Sequence, residues 1–537
     1  MIKTILLLGM TLILILSSIS FSNATTVIEN DIIYVDDSNT EGPWDGTVDH
    51  PFQYIQEGIN AAYDADTVFV FAGNYYENIV IDKSICLRGE NKDECFLISN
   101  VSSSTITIKE EKICLKEFTI SGLDSYYEVN IKGNHTAIYN TTINSDILIN
   151  SSNNKIYNNS IKRWICITSS QKPEYNSFNK ICNNTLGTVY VNSSNNIICN
   201  NLIESDNFFY SVHFDIDAIS NHFYDNNIIS TSINGLLLSS DNNDIHNNTI
   251  NDEMNDGVGI LINSRKNNIS NNVIKGGYSS ISLFSDENII TGNVMKKGGI
   301  EIGIPLFLFN SYTIPYNNTI FNNLVNDKPL LYKVRHSNEI FHEDYGQIIL
   351  MNCTNITIHH QNISHVKRPI QVFNSKNMFI QDNTFIGGQF WSECSEHIEF
   401  IKNRFYSSGI ELNSCSDIII KNNFIEDGNG IELSKCDDGI ISRNNFLNVT
   451  KEIQGWTTYN MLITENNFYD FEQHEGGSPF DDVYLNYNHN KWEHNYWGEK
   501  RYLPKSIWAT VYVPGIAGWL FRFLKFDWHP AQEPYDI

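Results

Sequence analysis

One short pattern of apolar and polar positions recurs along this chain. Ile419-x-x-Asn422-x-Phe424 returns as Ile441-x-x-Asn444-x-Phe446 and again as Ile463-x-x-Asn466-x-Phe468. Upstream stand Phe400-x-x-Asn403-x-Phe405 and Ile380-x-x-Asn383-x-Phe385. Asn159, Asn184, Asn201, Asn227, Asn248, Asn272, Asn293 and Asn323 occupy the same slot in the N-terminal half. Ile358-x-x-Gln361-x-Ile363 and Ile138-x-x-Thr141-x-Ile143 are variants. From Asn383 to Asn466 the copies follow one another in slightly uneven steps. Helical repeats of about 33 to 47 residues do not fit so short a period, and Ile and Phe stand where leucine-rich repeats need Leu. A coil of about 20 residues with two or three short strands fits a parallel β-helix. The expectation is an all-β, single-stranded, right-handed parallel β-helix of about fifteen rungs.

A second element follows each motif. Gly409-Ile410-Glu411-Leu412 matches Gly430-Ile431-Glu432-Leu433, with an earlier copy at Gly299-Ile300-Glu301-Ile302. Alternation along a strand sends the aliphatic residues inward and the residue between them outward. The repeated Asn has a structural role in this reading. It tolerates left-handed backbone angles at a turn. Stacked roughly 4.8 Å above its copy, its amide finds partners in the neighbouring rung. Every rung but the last is supplied in this way.

The termini depart from the repeat. Lys3 followed by apolar Ile5 to Leu16 and by Ser22-Asn23-Ala24 reads as a signal peptide over 1–24. Residues 25–100 read as an N-terminal cap and first rungs, with a capping helix over Phe52 to Tyr63. Repeats run over 101–470, and 471–537 reads as a terminal rung and an aromatic-rich C-terminal cap. Between Asn323 and Gln361 the spacing is nearly double the ordinary step. That is two rungs with one motif lost, or one rung with a long loop.

Composition narrows the partners. The chain is 41% hydrophobic, enough for a core, and carries a net charge of -26. A polyanion would be repelled and no basic stripe offsets this, so nucleic acid is not an expected partner. No stretch beyond the signal peptide is long and apolar enough for a transmembrane anchor. The chain is expected to be secreted or at the cell surface, as a monomer. Sequons at Asn100, Asn134, Asn150, Asn192 and Asn355 suit a glycosylated exterior, although the repeat itself generates others at Asn158 and Asn247. The ten Cys form no CxxC metal motif, and Cys394, Cys415 and Cys436 are evenly spaced by one rung, as in a stacked column. No cofactor is expected. Calcium is conceivable at Asp36-Asp37-x-Asn39 or Asp252-Glu253-x-Asn255-Asp256, neither of which matches an EF-hand loop. For copper there is only the His359-His360 pair, with no Met-rich or Cys-rich motif.

The stretches Asn326-Asp327-Lys328-Pro329-Leu330-Leu331-Tyr332 and Gly346 to Thr357, with Asn495-Tyr496-Trp497 after the last rung, resemble the NosD-type periplasmic β-helix family. Tyr34-Val35-Asp36-Asp37, His50-Pro51-Phe52 and Gly73-x-Tyr75-x-Glu77 resemble the start of archaeal cell-surface β-helix proteins. The resemblance implies a pectin-lyase-like fold and a carbohydrate-binding or sugar-hydrolysing role. For some NosD proteins it implies copper delivery to nitrous oxide reductase.

Three readings of function follow. In the first, extracellular glycans or envelope partners bind along the stacked strand faces, with Gln371, Trp391, Gln454 and Trp456 as ligand-binding residues around one outward column. In the second, Glu411 and Glu432, one rung apart in that column, act as a catalytic carboxylate pair about 5 Å apart, as in retaining glycosidases, or as part of a polysaccharide lyase. In the third, the rod is a spacer in an envelope layer.

Overall fold

A computed structural model describes residues 31–537 except 100, 123–126, 169–176, 253–256, 304–313, 450, 457, 470–479, 485–489 and 513–519. The predicted signal peptide lies outside the described residues. The chain forms two compact units, Met1–Ser160 and Ile161–Ile537. Each is a parallel β-solenoid, and together they comprise about 17 turns with one helix among the described residues.

In the first unit, the strands Ile32–Val35, Thr67–Val70, Cys86–Gly89, Cys114–Lys116, Ala137–Tyr139 and Lys155–Tyr157 stack in parallel register. Alternation sends Val68, Leu87, Leu115, Ile138 and Ile156 into the core, where all are fully buried. Each contributes about 2 kcal/mol of hydrophobic stabilisation. The helix Ile55–Ala61 is shorter than the expected Phe52 to Tyr63, and it buries Ile55, Gly58 and Ile59. A Cβ on Gly58 would come within 2.7 Å of Val35 Cγ2, so this face admits only glycine. Glu77 accepts the first helical amides, Ile55 N at 2.7 Å and Gln56 N at 3.0 Å. The Glu of the Gly-x-Tyr-x-Glu stretch therefore satisfies a helix end.

The second unit contains the amide ladder. Asn184, Asn201, Asn226, Asn248, Asn272, Asn293 and Asn323 stand one per rung. Each Oδ1 accepts the backbone N–H and Nδ2–H of the Asn before it, at 2.9–3.1 Å. The column resumes as Gln361, Asn383, Asn403, Asn423, Asn444, Asn466 and Asn495. Asn159 plays the same part in the first unit, accepting from Thr141 N. Two expected positions are corrected. Asn226 and Asn423 occupy the slot, and Asn227 and Asn422 do not. With Asn423 in place the steps from Asn383 to Asn466 become 20, 20, 21 and 22. Asn227 is exposed at the start of the strand Asn227–Ser230.

The turn divides its labour between two residues. The ladder Asn itself is not left-handed. The residue before it is: Asn200, Asp225, Asn247, Asn271, Asn322, Asp382, Lys402, Asn422, Arg443 and Glu465 all have φ near +55°. Those side chains face outward, so that slot accepts either charge. A second ladder, which the motif did not reveal, runs along another corner through Asn179, Asn196, Asn221, Asn243, Asn267, Asn288 and Asn318. In later rungs Ser375 and Ser395 take over this corner, accepting from Cys353 N and Ser375 N. Cys415 and Cys436 follow in the same register, whereas Cys394 lies one position off the column and is exposed. The rung there is one position shorter than the cysteine spacing, so Ser395 and not Cys394 aligns with Cys415. Cys182 and Cys199, aligned on adjacent rungs, are disulfide-bonded.

The last rung is not left unsatisfied. Asp527, fully buried, accepts from Asn495 N, His494 N and Trp497 Nε1 at 2.9–3.2 Å. Of the proposed calcium ligands, Asp36 and Asp37 accept backbone amides of Ser38 and Asn74, and Asn39 donates to Pro43 O and Pro51 O. These groups fasten a loop. Glu253, Asn255 and Asp256 lie outside the described residues.

Asn226→Ala should lower stability by roughly 3 kcal/mol, because it strips partners from Asn201 and from Ile198 O, while Asn227→Ala should stay within about 0.5 kcal/mol. Chemical denaturation of the two variants checks the assignment, and equal losses would refute it. Glu452 is 7% exposed and its Oε2 makes no hydrogen bond. Burial pushes its carboxyl up from 4.5 to about 7. The folded state thus favours the protonated form, and stability falls as pH rises from about 4.5 to 7. Glu452→Gln should stabilise by up to about 3 kcal/mol at pH 8 and by almost nothing at pH 4. Melting curves at the two pH values read this directly.

Candidate functional site

The register aligns the outward column of the second unit as Ile349, Gln371, Trp391, Glu411, Glu432 and Gln454. Five of the six residues singled out from the sequence therefore share one column. Trp456 lies two positions after Gln454 on the same strand, paired with Ser434, and its side chain is outside the described residues. The column is not a uniform exposed face. Gln371 is fully buried, and it is corrected as a solvent-facing contact: its Oε1 accepts Ile302 N at 3.0 Å and its Nε2 donates to Ile300 O at 2.7 Å. Trp391 is also buried, with its ring edge-to-face on Phe373. Gln454 is 9% exposed.

Gln371, together with Gln347, closes a break in the solenoid. One sheet ends at Thr319–Phe321, and its successor begins at Ser337–Phe341. Between them Lys328–Val334 folds back antiparallel on Leu324–Val325, through Asn326 and Asp327 at positive φ. The long step from Asn323 to Gln361 is thus one rung without the ladder amide plus a reversed hairpin. Gln347 and Gln371 bond to the backbone of the strand Ile300–Ile302 through their side chains. Gln347 Nε2 also donates to Arg368 O at 2.9 Å, which anchors the segment before Pro369.

That segment carries two cations the sequence reading missed. Lys367 Nζ lies 2.8 Å from Glu301 Oε2 and 3.7 Å from the centre of the Tyr278 ring. Arg368 Nη1 lies 2.5 Å from Glu411 Oε2 and 3.3 Å from Gln389 Oε1. Its guanidinium sits 5.0 Å over Trp391, and its Nε makes no hydrogen bond. Ser279 Oγ donates to Glu301 Oε2 at 2.7 Å. Lys367, Arg368 and Glu301 side chains are only 14–17% exposed. Burial lowers the Lys367 ammonium below its usual range, and the Glu301 carboxylate opposes that shift. Burial, then the neighbouring Glu411, raises the Glu432 carboxyl. Glu411 is therefore not one of an isolated pair of like charges; it is salt-bridged to Arg368. In the sequence only the carboxylates of this cluster, Glu301 and Glu411, were recognisable, as copies of the Gly-Ile-Glu-Leu element; nothing marked Lys367 or Arg368.

Beside the cluster opens a cleft of about 390 Å³, lined by Tyr278, Lys367, Arg368, Gln389, Ser408 and Asp427. Gly277, Gly298 and Gly388, all at positive φ, give part of it a floor of bare backbone. Lys297, Lys367 and Arg368 line it together with Asp427, and Lys367 and Arg368 are ion-paired to Glu301 and Glu411, which stand behind the lining. Counted with those two partners, the charges balance, and the lining offers directed hydrogen-bond donors and acceptors next to the half-exposed ring of Tyr278.

Residues 331–502 match the family model described as Periplasmic copper-binding protein (NosD). His359 Nδ1 and His360 Nδ1 are 2.5 Å apart, and His342 stacks on His359 at 5.8 Å. The two ring nitrogens stand within hydrogen-bond distance of each other. Among the described residues no three His, Cys, Asp or Glu side chains converge as ligands. A Cell surface glycoprotein of Methanothermus fervidus is 37% identical over 97 residues, 17% of this chain and 16% of that protein. The match thus spans about a sixth of that relative's length. The structure is similar to the PL6 family alginate lyase AlyGC, with 11% identity and a TM-score of 0.35 over 94% of this chain and 99% of that one. It is also similar to DFA-IIIase from Arthrobacter chlorophenolicus A6, with 11% identity and a TM-score of 0.30 over 66% and 94%. No described helix is long and apolar enough to cross a membrane. The chain is a parallel β-helix repeat protein, with residues 331–502 matching the NosD family.

Proposed function

We propose that this is an extracellular or cell-surface β-helix protein that binds an uncharged glycan in the cleft beside Tyr278, Lys367 and Arg368. One observation carries the reading: a charge-balanced, largely buried set of ionic side chains stands beside an exposed aromatic ring, where the ladder is interrupted. Sugar hydroxyls both donate and accept, and paired Arg, Lys and Glu groups present both functions in fixed directions. The Tyr278 ring supplies an apolar face of the kind sugar C–H groups pack on. The match to a cell surface glycoprotein supports the location. No metal enters this reading.

A second reading rests on Glu432. Burial and the neighbouring Glu411 raise its carboxyl, while Glu411 is ion-paired to Arg368, so two carboxyls on adjacent rungs stand in different environments, as the acid and base of a glycoside hydrolase do.

On an immobilised panel of neutral and acidic oligosaccharides, the wild type should retain neutral members, with affinity nearly constant between low and high salt. Tyr278→Ala and Arg368→Ala should each weaken the best ligand roughly 10- to 100-fold. Unchanged binding by both variants, or retention of acidic members alone with strong salt dependence, would rule the proposal out. Incubation of the retained oligosaccharide with wild type and Glu432→Gln separates the readings. A binder leaves the sugar intact in both cases, whereas a hydrolase cleaves it and loses at least about 100-fold in rate with the variant.

A further inference from the structure

Three pairs of cysteines are aligned on adjacent rungs: Cys86 with Cys114, Cys182 with Cys199, and Cys415 with Cys436. Adjacent rungs place aligned Cα atoms about 4.8 Å apart, within the window that a disulfide spans. The second pair is bonded, with a Cα–Cα distance of 4.7 Å. The other two pairs carry no disulfide, and their surroundings differ sharply. Cys415 and Cys436 are wholly buried, and their thiols donate to the backbone carbonyls of Ser392, Asn413, Leu412 and Ser434. The hydrogen bond with Cys436 holds the Cys415 thiol down, but both sulfurs are fully buried and out of reach of an external disulfide.

Cys86 and Cys114 lie on an outward face of the first unit. They are 5% and 9% exposed. Two positions further along the same strands stand Arg88 and Lys116, aligned with each other. Their cations lie over the Phe69 and Tyr139 rings, each at 5.5 Å. Tyr139 Oη is 3.5 Å from Cys114 Sγ, and the Tyr139 ring stacks on Tyr157 at 4.8 Å, which fixes the phenol in place. A thiol beside a second thiol, a phenol hydrogen bond and two cations has what nucleophilic sulfur needs. The hydrogen bond with Cys86 is the largest influence holding the Cys114 thiol down, to about 7.

We infer that Cys86 and Cys114 form a reactive dithiol that closes to a cross-rung disulfide by exchange with an external disulfide, Cys114 attacking first. The Cys114 thiolate attacks one sulfur of the external disulfide. That S–S bond breaks, one thiolate leaves and takes up a proton, and a mixed disulfide remains on Cys114. The Cys86 sulfur then attacks Cys114 Sγ and expels the second thiol, which carries away the Cys86 proton. Two electrons pass to the external disulfide, and two thiols are released. Cys182–Cys199 shows that the cross-rung geometry accommodates the product.

The test uses the aromatic disulfide 5,5′-dithiobis(2-nitrobenzoate) on the folded chain, with Cys394→Ser introduced because Cys394 is exposed. The expected result is a fast release of two coloured thiolates with no label retained, and a Cys86–Cys114 linked peptide on digestion. The fast rate should rise with pH to half its maximum near 7. Adding Cys86→Ser should give one thiolate and a retained label on Cys114. Adding Cys114→Ser should slow the fast phase by more than about tenfold. Overturning results are a fast phase that survives Cys114→Ser, a label that stays on Cys114 while Cys86 is present, or no fast phase in the folded chain. Should either serine variant fail to fold, the linked peptide and the count of released thiolates in the Cys394→Ser chain decide alone.

Discussion

A side-chain amide that bonds to the rung beneath it is the interaction on which the rest depends. A solenoid turn must bend its backbone sharply, and every bend leaves N–H and C=O groups that no strand pairing reaches. The Asn Oδ1 takes the N–H of the neighbouring rung, and its Nδ2 returns hydrogen bonds to backbone carbonyls and to the next amide. Each such bond is worth about 1 kcal/mol net, and leaving its partner buried and unpaired costs more. The ladder therefore acts mainly by forbidding other registers. A slip of one residue would place an outward side chain in the slot and turn every Ile of that rung toward water.

The candidate site stands where this constraint lapses. From Asn323 to Gln361 no ladder amide is present, the chain reverses into a hairpin, and one sheet gives way to another. Gln347 and Gln371 substitute for strand pairing along Ile300–Ile302, and Gln347 also holds the Arg368 backbone. The stabilising chemistry of the ladder is reused with a longer side chain. What it gains is space: a cleft partly floored by glycine and lined by Lys367 and Arg368, whose ion-pair partners stand behind them. Lys367 and Arg368 could not be held so far from water without Glu301 and Glu411 opposite them.

Much of the fold was legible in the sequence because a period of about 20 residues with inward Ile and Phe has few other solutions. The slips at Asn227 and Asn422 arose where two Asn stand side by side. The turn uses both neighbouring positions, one at positive φ and one in the ladder, and only the step lengths distinguish them. The second Asn ladder went unseen because the apolar residue two positions after each member, such as Ile181 or Ile198, is also the first position of the Ile-x-x-Asn motif and was read only in that role. The outward column was found through Glu411 and Glu432. Lys367 and Arg368 were not, because they precede a proline in a segment outside any repeat. Their meaning comes from Glu301, far earlier in the chain and adjacent only after folding.

The ladder makes the scaffold, and its interruption makes the site. Amide hydrogen exchange across the second unit, with and without a saturating neutral oligosaccharide that the protein retains, tests this most directly. The account predicts added protection concentrated in 277–279, 298–302, 365–368 and 388–389, with the regular rungs around Asn226 to Asn272 unchanged. Protection spread evenly along those regular rungs, with none at 365–368, would contradict it.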